Sequence, residues 1–484
     1  MKITHILSAL GLILTAFGTI LLLPIAVALL EKEYQAILPF LSAAVCSIVL
    51  GLVFRRAGGY LKNFDAFKRN EGMLIVCLAW VMAAAMGAIP YLFFGLSPVD
   101  AYFESMSGIT TTGATVLTDF SRYPKCFFFW RGLTQWLGGM GIIVLFVAIL
   151  PQFKVAGRQM FFAEAPGPTE EKVTPRITQT AKALWVVYIL LTAAEIIALT
   201  VAGMNPFDAV CNSLSTMAAG GFSPHPQSIM GYGNNTITWI VMVFMLLAGS
   251  SFVLQYWVLV RRKPQLFLSS EEFRGYILII LVAGSGLAGV IYFSSTAAPL
   301  DALRDSLFQI ISIITTTGFA SSDFALWAVA GQVILFSMML VGGCAGSAGG
   351  GIKVVRILFW AKYLRREIIQ IIHPQIVKPI KLDLKTVHSD IQQQIIGFLL
   401  FYLLIMIISA LAVTAIEGNG VIGLVGTAAT LGNIGPGFGE IGPMGSFGAL
   451  SLPTKLIFIV NMAVGRLEII PFLAMFHPDF WRFQ

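Results

Sequence analysis

Charge is what this 484-residue chain has least of: only 11% of its residues are Asp, Glu, Lys or Arg. A soluble domain of that size needs a far more polar surface, so a soluble globular protein is excluded. Cysteine is scarce too. Cys46, Cys77, Cys126, Cys211 and Cys344 are scattered without a CxxC pair, which leaves neither a metal cluster nor a disulfide framework to read. The five histidines are equally dispersed, and with no nucleophile motif a membrane-bound enzyme finds no support. Regular apolar–polar alternation is also missing, so the chain does not read as a membrane β-barrel.

What remains is a chain that is 57% hydrophobic, with a mean hydropathy of +0.84 and long apolar runs. That composition predicts an all-α integral membrane protein. The first run, Ile6 to Leu30, is too long for a cleavable signal and carries Pro24 without a small-residue cleavage site, so it is kept as a span. With Ile37 to Phe54 it forms a two-helix hairpin, and residues 1–72 are set apart as an N-terminal unit.

The rest is organised by an internal repeat. Thr110-Thr111-Thr112-Gly113 returns as Thr315-Thr316-Thr317-Gly318. Asp100 and Asp305 lie thirteen residues before these glycines, and Ser107 and Ser312 lie six before them. The same ruler finds Asp208, Ser215 and Gly221 around Ala218-Ala219-Gly220-Gly221-Phe222. A fourth copy, Gly432-Asn433-Ile434-Gly435-Pro436, lacks both the Asp and the Ser. Each copy sits in a unit that reads span, short amphipathic piece, glycine segment, span. The units are 73–180, 181–273, 274–390 and 391–484. The short pieces, Asp100 to Ile109, Phe207 to Met217, Asp301 to Ile314 and Val421 to Leu431, cannot span a bilayer and suit re-entrant half-helices. Non-helical backbone at membrane depth needs a protein-lined or water-lined site. Four such segments around one axis make a ring of carbonyls that replaces a cation's hydration shell. Glycine supplies the required backbone freedom, and each half-helix points its negative end at the site. Tight turns between helices are the competing reading of any single copy.

Basic residues set an orientation. Of the 31 Lys and Arg, 24 fall on one side of this topology, among them Arg55, Arg56, Lys154, Arg261, Lys353 and Arg365. The positive-inside rule then puts both termini and the inter-repeat loops in the cytoplasm. The net charge of +7 follows from that topology, and nucleic-acid binding is not implied.

Two further features stand in the spans. Gly342-Gly343-Cys344-Ala345-Gly346-Ser347-Ala348-Gly349-Gly350-Gly351 interrupts the closing span of the third repeat, because so many glycines cannot hold a helix. It is not a phosphate-binding loop, since Ile352 stands where Lys-Ser/Thr is needed. A mobile loop obstructing the pore and a helix kink are the two readings. Arg466 lies in the last span, either satisfied by carbonyls or a carboxylate such as Glu195, or facing the conduction path as a barrier. Glu104, Asn212, Gln309 and Thr427 are placed to brace the filters, and Asp119, Asp323 and Glu440 to draw cations to the outer mouth.

Taken together, the four repeats, the extra hairpin, the Gly343-Cys344-Ala345-Gly346-Ser347 run, Asn433-Ile434-Gly435-Pro436-Gly437 and Gly465-Arg466-Leu467-Glu468 resemble the Trk/Ktr/HKT superfamily of K⁺ transporters. Within it they look like the TrkH family, the membrane subunits of bacterial Trk systems, over essentially the whole chain. The resemblance implies K⁺ as the transported ion, bound by backbone carbonyls of Thr111, Thr112, Gly113, Ala219, Gly220, Gly221, Thr316, Thr317, Gly318, Asn433, Ile434 and Gly435. It implies a gate made of Gly342, Gly343, Cys344, Ala345, Gly346, Ser347, Gly349, Gly350 and Gly351, with Arg466 beneath the filter. It also implies a homodimer in the inner membrane, a cytosolic TrkA-like nucleotide- and NAD-binding subunit, and no organic cofactor in this chain. In plant relatives a serine at the first filter glycine accompanies Na⁺ transport, so Gly113 leans towards K⁺. The second filter has no threonine and the fourth has Asn-Ile before its glycine, so selectivity short of a symmetric filter is expected. Gated, potential-driven K⁺ uptake is the leading expectation, and H⁺- or Na⁺-coupled symport the alternative.

Overall fold

A computed structural model describes residues 2–60, 69–149, 177–296, 298–376, 378–383, 385–467 and 469–481. Lys62, Lys68, Lys154, Arg158, Lys172, Arg176 and Arg482 of the basic set, together with Leu150 and Glu468, lie outside those residues.

The N-terminal hairpin pairs Ile3–Ile20 and Leu23–Leu30 with Ile37–Ala57. Pro24 opens the second helix piece, where its missing N–H costs nothing. The two arms touch backbone to backbone: a Cβ on Gly11 would lie 2.5 Å from the Gly51 carbonyl oxygen. Small residues permit that approach where lipid gives helices no hydrophobic reason to associate.

The first repeat is Arg69–Phe93, the pore helix Pro98–Ile109 and Lys125–Ile149. The second is Ile177–Val201, the pore helix Pro206–Met217, then Asn235–Ala248 and Phe252–Leu259. The third is Glu271–Ser294, the pore helix Pro299–Ile314, Val329–Met339 and Val354–Ile372. The fourth is Ser389–Glu417, a π turn Ile422–Gly426 running into Thr427–Leu431, then Leu452–Arg466 and Ile469–Ala474. Among the described residues, six helical stretches are long and apolar enough to cross a membrane, and a bent pair would make a seventh. The architecture is the all-α, four-repeat membrane fold with an N-terminal hairpin that the pattern predicted.

Three pore helices start with proline at the first turn, after Ser97, Asn205 and Ala298. Ser97 accepts from the Asp100 N–H at 3.2 Å and donates to its carboxylate at 2.8 Å. Asp100, Asp208 and Asp301 stand in the first turns, where the helix dipole favours an anion. The third pore helix starts one turn earlier than the others, so its ruler residue Asp305 lies inside the helix and pairs with Arg304 at 3.0 Å.

Two spans expected to be continuous are broken. Between Asn235–Ala248 and Phe252–Leu259 the axis turns by 106°. Gly249, Ser250 and Ser251 are weak helix formers, and Gln255 covers the released groups, donating to the Leu247 carbonyl at 2.5 Å and to the Ser250 hydroxyl at 2.8 Å. The last span stops at Arg466 and resumes at Ile469. Arg466 is therefore the last residue of its helix instead of standing in the middle of a continuous span.

Candidate ion filter and gate

All four glycine segments share one backbone shape. The residue two before each filter glycine is left-handed: Thr111 at φ 54°, Ala219 at 55°, Thr316 at 58° and Asn433 at 55°. The glycines follow at 82° for Gly113, 79° for Gly221, 80° for Gly318 and 100° for Gly435. The residues between them, Thr112, Gly220, Thr317 and Ile434, are not left-handed. Alternating hands turn successive carbonyls to one side and successive N–H groups to the other. A β-branched threonine at positive φ is strained, and two of the four segments carry one there.

One hydrogen bond recurs in every copy. The N–H of Thr112 donates to Ser107 O, of Gly220 to Ser215 O, of Thr317 to Ser312 O and of Ile434 to Ala429 O, all at 2.8–2.9 Å. This explains the serine spacing: the shared partner is its backbone carbonyl, which Ala429 supplies equally well in the fourth copy. It also fixes Gly221, and not Gly220, as the second filter glycine.

The copies close into a ring. A Cβ on Gly113 would overlap the Gly220 carbonyl oxygen, one on Gly221 that of Thr317, and one on Gly318 that of Ile434. A Cβ on Gly435 would lie 2.6 Å from that of Thr112, which returns to the first repeat. Each glycine is thus seated on the neighbouring repeat's carbonyl around a single axis. One end of the ring opens into a mouth of about 60 Å³ lined by Gly113, Gly221, Gly318, Gly435, Phe222 and Arg131 among others.

Each filter is braced differently from behind. The Thr110–Thr112 and Thr315–Thr317 hydroxyl pairs lie 2.8 Å apart. Asn433 Nδ2 donates to the Thr112 hydroxyl at 2.9 Å and to the Met462 carbonyl at 3.0 Å, tying the fourth filter to the first. Gln309 Nε2 and the Ser312 hydroxyl both donate to the Phe319 carbonyl, at 3.1 and 2.6 Å. Glu104 accepts from Val116 N at 3.0 Å and from Arg131 Nε at 2.8 Å. Asn212 turns instead to Asp208 O and the Tyr232 hydroxyl, both at 2.9 Å, and the Thr427 hydroxyl has no partner among the described residues.

Sequence reading missed Arg131 and Gln135, one turn apart on Lys125–Ile149. Both are buried. Arg131 stacks on Phe222 with its guanidinium 3.8 Å from the ring centre and donates to Ser223 O at 3.4 Å, joining the first two repeats. Gln135 contacts the second filter directly. Two long polar side chains spaced by four, with Thr134 between them, in a mostly apolar helix were the signal for them. Removing Arg131 strands the Glu104 carboxylate in the interior. Arg131→Met is expected to destabilise the fold by about 3–5 kcal/mol, read as a lowered melting temperature in detergent.

Asp119, Asp323 and Glu440 do not line the mouth. Asp119 and Asp323 cap short turns, accepting from Ser121 N at 3.0 Å and Ala325 N at 3.1 Å. The Ser121 hydroxyl, then its N–H, hold the Asp119 carboxyl below its ordinary range.

The glycine run forms a non-helical loop at the opposite end of the filter from the mouth. Gly350 N donates to the Thr316 hydroxyl at 2.8 Å. Cβ atoms on Gly349 and Gly350 would lie 2.9 Å from Thr315 O and 2.8 Å from Gly432 O, so the loop abuts the third and fourth filters. Its flanks are held by one carboxylate oxygen: Glu272 Oε1 accepts from Ala345 N at 2.6 Å and Val355 N at 3.2 Å. The loop also pairs with the break of the second repeat, through Cys344 N to Gly249 O at 2.8 Å and Phe252 N to Gly346 O at 3.0 Å. Arg466 donates to Ala348 O in this loop at 2.7 Å and to Gly138 O in the first repeat at 2.9 Å. Glu195, the carboxylate considered for Arg466, is buried beside Thr216, whose hydroxyl is already committed to Asn212 O at 2.8 Å, and neither Glu195 oxygen has a hydrogen-bond partner among the described residues.

Four pore helices delivering left-handed, carbonyl-bearing segments to one axis define a multi-pass membrane protein of the pore-loop class. The family model TrkH, described as a cation transport protein, matches residues 46–281 and 276–482. This chain belongs to the TrkH family. The Trk system potassium uptake protein TrkH of Vibrio parahaemolyticus is 38% identical over 489 residues, covering 100% of both chains. Its counterpart in Escherichia coli K12 is 38% identical over 481 residues, covering 98% of each. The crystal structure of the potassium transporter TrkH from Vibrio parahaemolyticus matches with a TM-score of 0.90 and 36% identity, covering 100% of both chains.

Proposed function

We propose that this chain carries K⁺ into the cell through the ring of Gly113, Gly221, Gly318 and Gly435 and the residues before them. The observation that carries the reading is the closed cycle of glycine on carbonyl, present in all four repeats despite unlike sequences. Relatives named as potassium uptake proteins support K⁺ as the ion. The carbonyls of Thr111, Thr112, Gly113, Ala219, Gly220, Gly221, Thr316, Thr317, Gly318, Asn433, Ile434 and Gly435 exchange for the hydration shell, and the membrane potential drives the ion inward. The 342–351 loop, clamped by Arg466 to the first repeat, is the gate. The asymmetry of basic residues supports cytoplasmic termini in the bacterial inner membrane. The relatives' place in a Trk system supports a partner subunit, read as cytosolic, TrkA-like and nucleotide-binding, to which the gate of a homodimer answers.

Coupled transport with H⁺ or Na⁺ is the second reading, and Glu195 favours it, because a buried carboxylate in a span is the usual proton carrier. One experiment separates the two. In Na⁺-free proteoliposomes of purified protein, the flux is expected to reverse at the K⁺ equilibrium potential at every pH. A reversal potential that moves with the proton gradient, or K⁺ flux that appears only when Na⁺ is added, sinks the passive pore and installs the symporter.

A further inference from the structure

The four carbonyls on which the filter glycines are seated are not chemically equal. Those of Thr112, Thr317 and Ile434 accept no hydrogen bond among the described residues. That of Gly220 accepts one from Gln135 Nε2 at 2.6 Å. It keeps its place in the ring, since it still lies against Gly113 as the other three lie against their glycines. Gln135 is completely buried, and its amide is held from the other side. Oε1 accepts from the Ser215 hydroxyl at 2.6 Å and from Phe222 N at 3.1 Å. Those contacts fix which end of the amide faces the filter: two donors meet Oε1, so Nε2 must meet the carbonyl. The side chain also fills the space that a side chain on Gly220 would need, because a Cβ there would overlap the Gln135 amide. The second filter, which lacks threonine, thus has a glutamine from the first repeat behind it.

We propose that Gln135 is a specificity-determining residue, which sets the balance between K⁺ and Na⁺ by tethering the Gly220 carbonyl. The inference rests on reading the ring as the ion filter. A donor N–H places partial positive charge against the oxygen that an ion would bind. The field that this oxygen offers the ion is weakened, and its direction is pinned. A weak-field oxygen favours the larger, more easily dehydrated K⁺. A strong or mobile one closes around Na⁺. Gln135 touches the ion only through the carbonyl it holds, so it is a positioning residue.

The test measures the K⁺/Na⁺ permeability ratio from reversal potentials in proteoliposomes. Gln135→Glu keeps the acceptor for Ser215 and Phe222 but replaces the donor, and Gln135→Met removes both. The ratio is expected to fall by about three- to tenfold in each, the worth of one hydrogen bond, while K⁺ flux persists. Gly113→Ser is measured beside them. If it lowers the ratio and the Gln135 variants do not, the filter stands and this proposal is overturned. If it too leaves the ratio unchanged, the filter reading is lost and the proposal with it. Equal loss of K⁺ and Na⁺ flux at a constant ratio marks Gln135 as a structural brace only, and also overturns it. Should neither Gln135 variant fold, Ser215→Ala carries the test by removing one of the two donors that hold Oε1. A smaller fall in the ratio supports the proposal, and an unchanged ratio overturns it.

Discussion

Gly113→Ser is expected to cost the pore most of its preference for K⁺ over Na⁺, by about tenfold or more, which corresponds to at least ~1.4 kcal/mol of differential binding. Two effects act together. The residue sits at φ 82°, where an L side chain is strained. Its Cβ would also overlap the Gly220 carbonyl oxygen, so either the first or the second filter must shift. Close packing around the ring offers little room to absorb that shift. Serine at Gly221 or Gly318 meets the same obstruction from Thr317 and Ile434. Serine at Gly435 meets the Thr112 carbonyl at 2.6 Å and is expected to be the mildest of the four. Permeability ratios from reversal potentials give the order directly. A Gly113 variant as selective as the parent would mean that the ions do not pass between these carbonyls.

Arg466→Gln is expected to raise the flux through the purified chain by about five- to thirtyfold, because one or two kcal/mol moves a two-state population by that factor. The guanidinium bonds Ala348 in the loop and Gly138 in the first repeat at once. Hydrogen bonds from a charged donor are worth about 1.5–3 kcal/mol each, and a neutral amide reaches at most part of that geometry. The clamp loosens while the Gly350 bond to Thr316 stays. Rubidium uptake into proteoliposomes without any partner protein measures the change. A flux that stays at the parent level would show that the loop does not limit conduction, and a fall would show that the arginine holds the loop in its conducting shape.

The outline of the fold was legible because membrane spans and glycine spacing are local signals. Asp100, Ser107 and Gly113 carry the register of a whole repeat, and the ruler built on them located Gly221 among adjacent glycines. The fourth copy was weaker in sequence because its common feature is a backbone carbonyl, and Ala429 provides that without leaving a side-chain trace. The helix breaks at Gly249–Ser251 and after Arg466 were hidden in hydropathy, which averages over the very residues that turn the chain. Arg131 and Gln135 escaped for another reason. Glu104 meets Arg131 only when the pore helix of the first repeat folds back against the span that follows it, and Ser215 and Gly220 reach Gln135 only when the repeats close around one axis. The acidic residues Asp119 and Asp323 have a local role that charge alone did not reveal: each caps the short turn that follows it.

The cycle of glycine on carbonyl runs through one polypeptide, from the first repeat to the fourth and back. In a filter assembled from four identical subunits, a single codon changes every wall together, and partial effects are seen only in mixed assemblies. Here a single codon alters one wall and presses on one neighbour, and the other two walls remain as internal references. Selectivity can therefore be adjusted in graded steps, and the contribution of each wall can be measured separately in a uniform protein population.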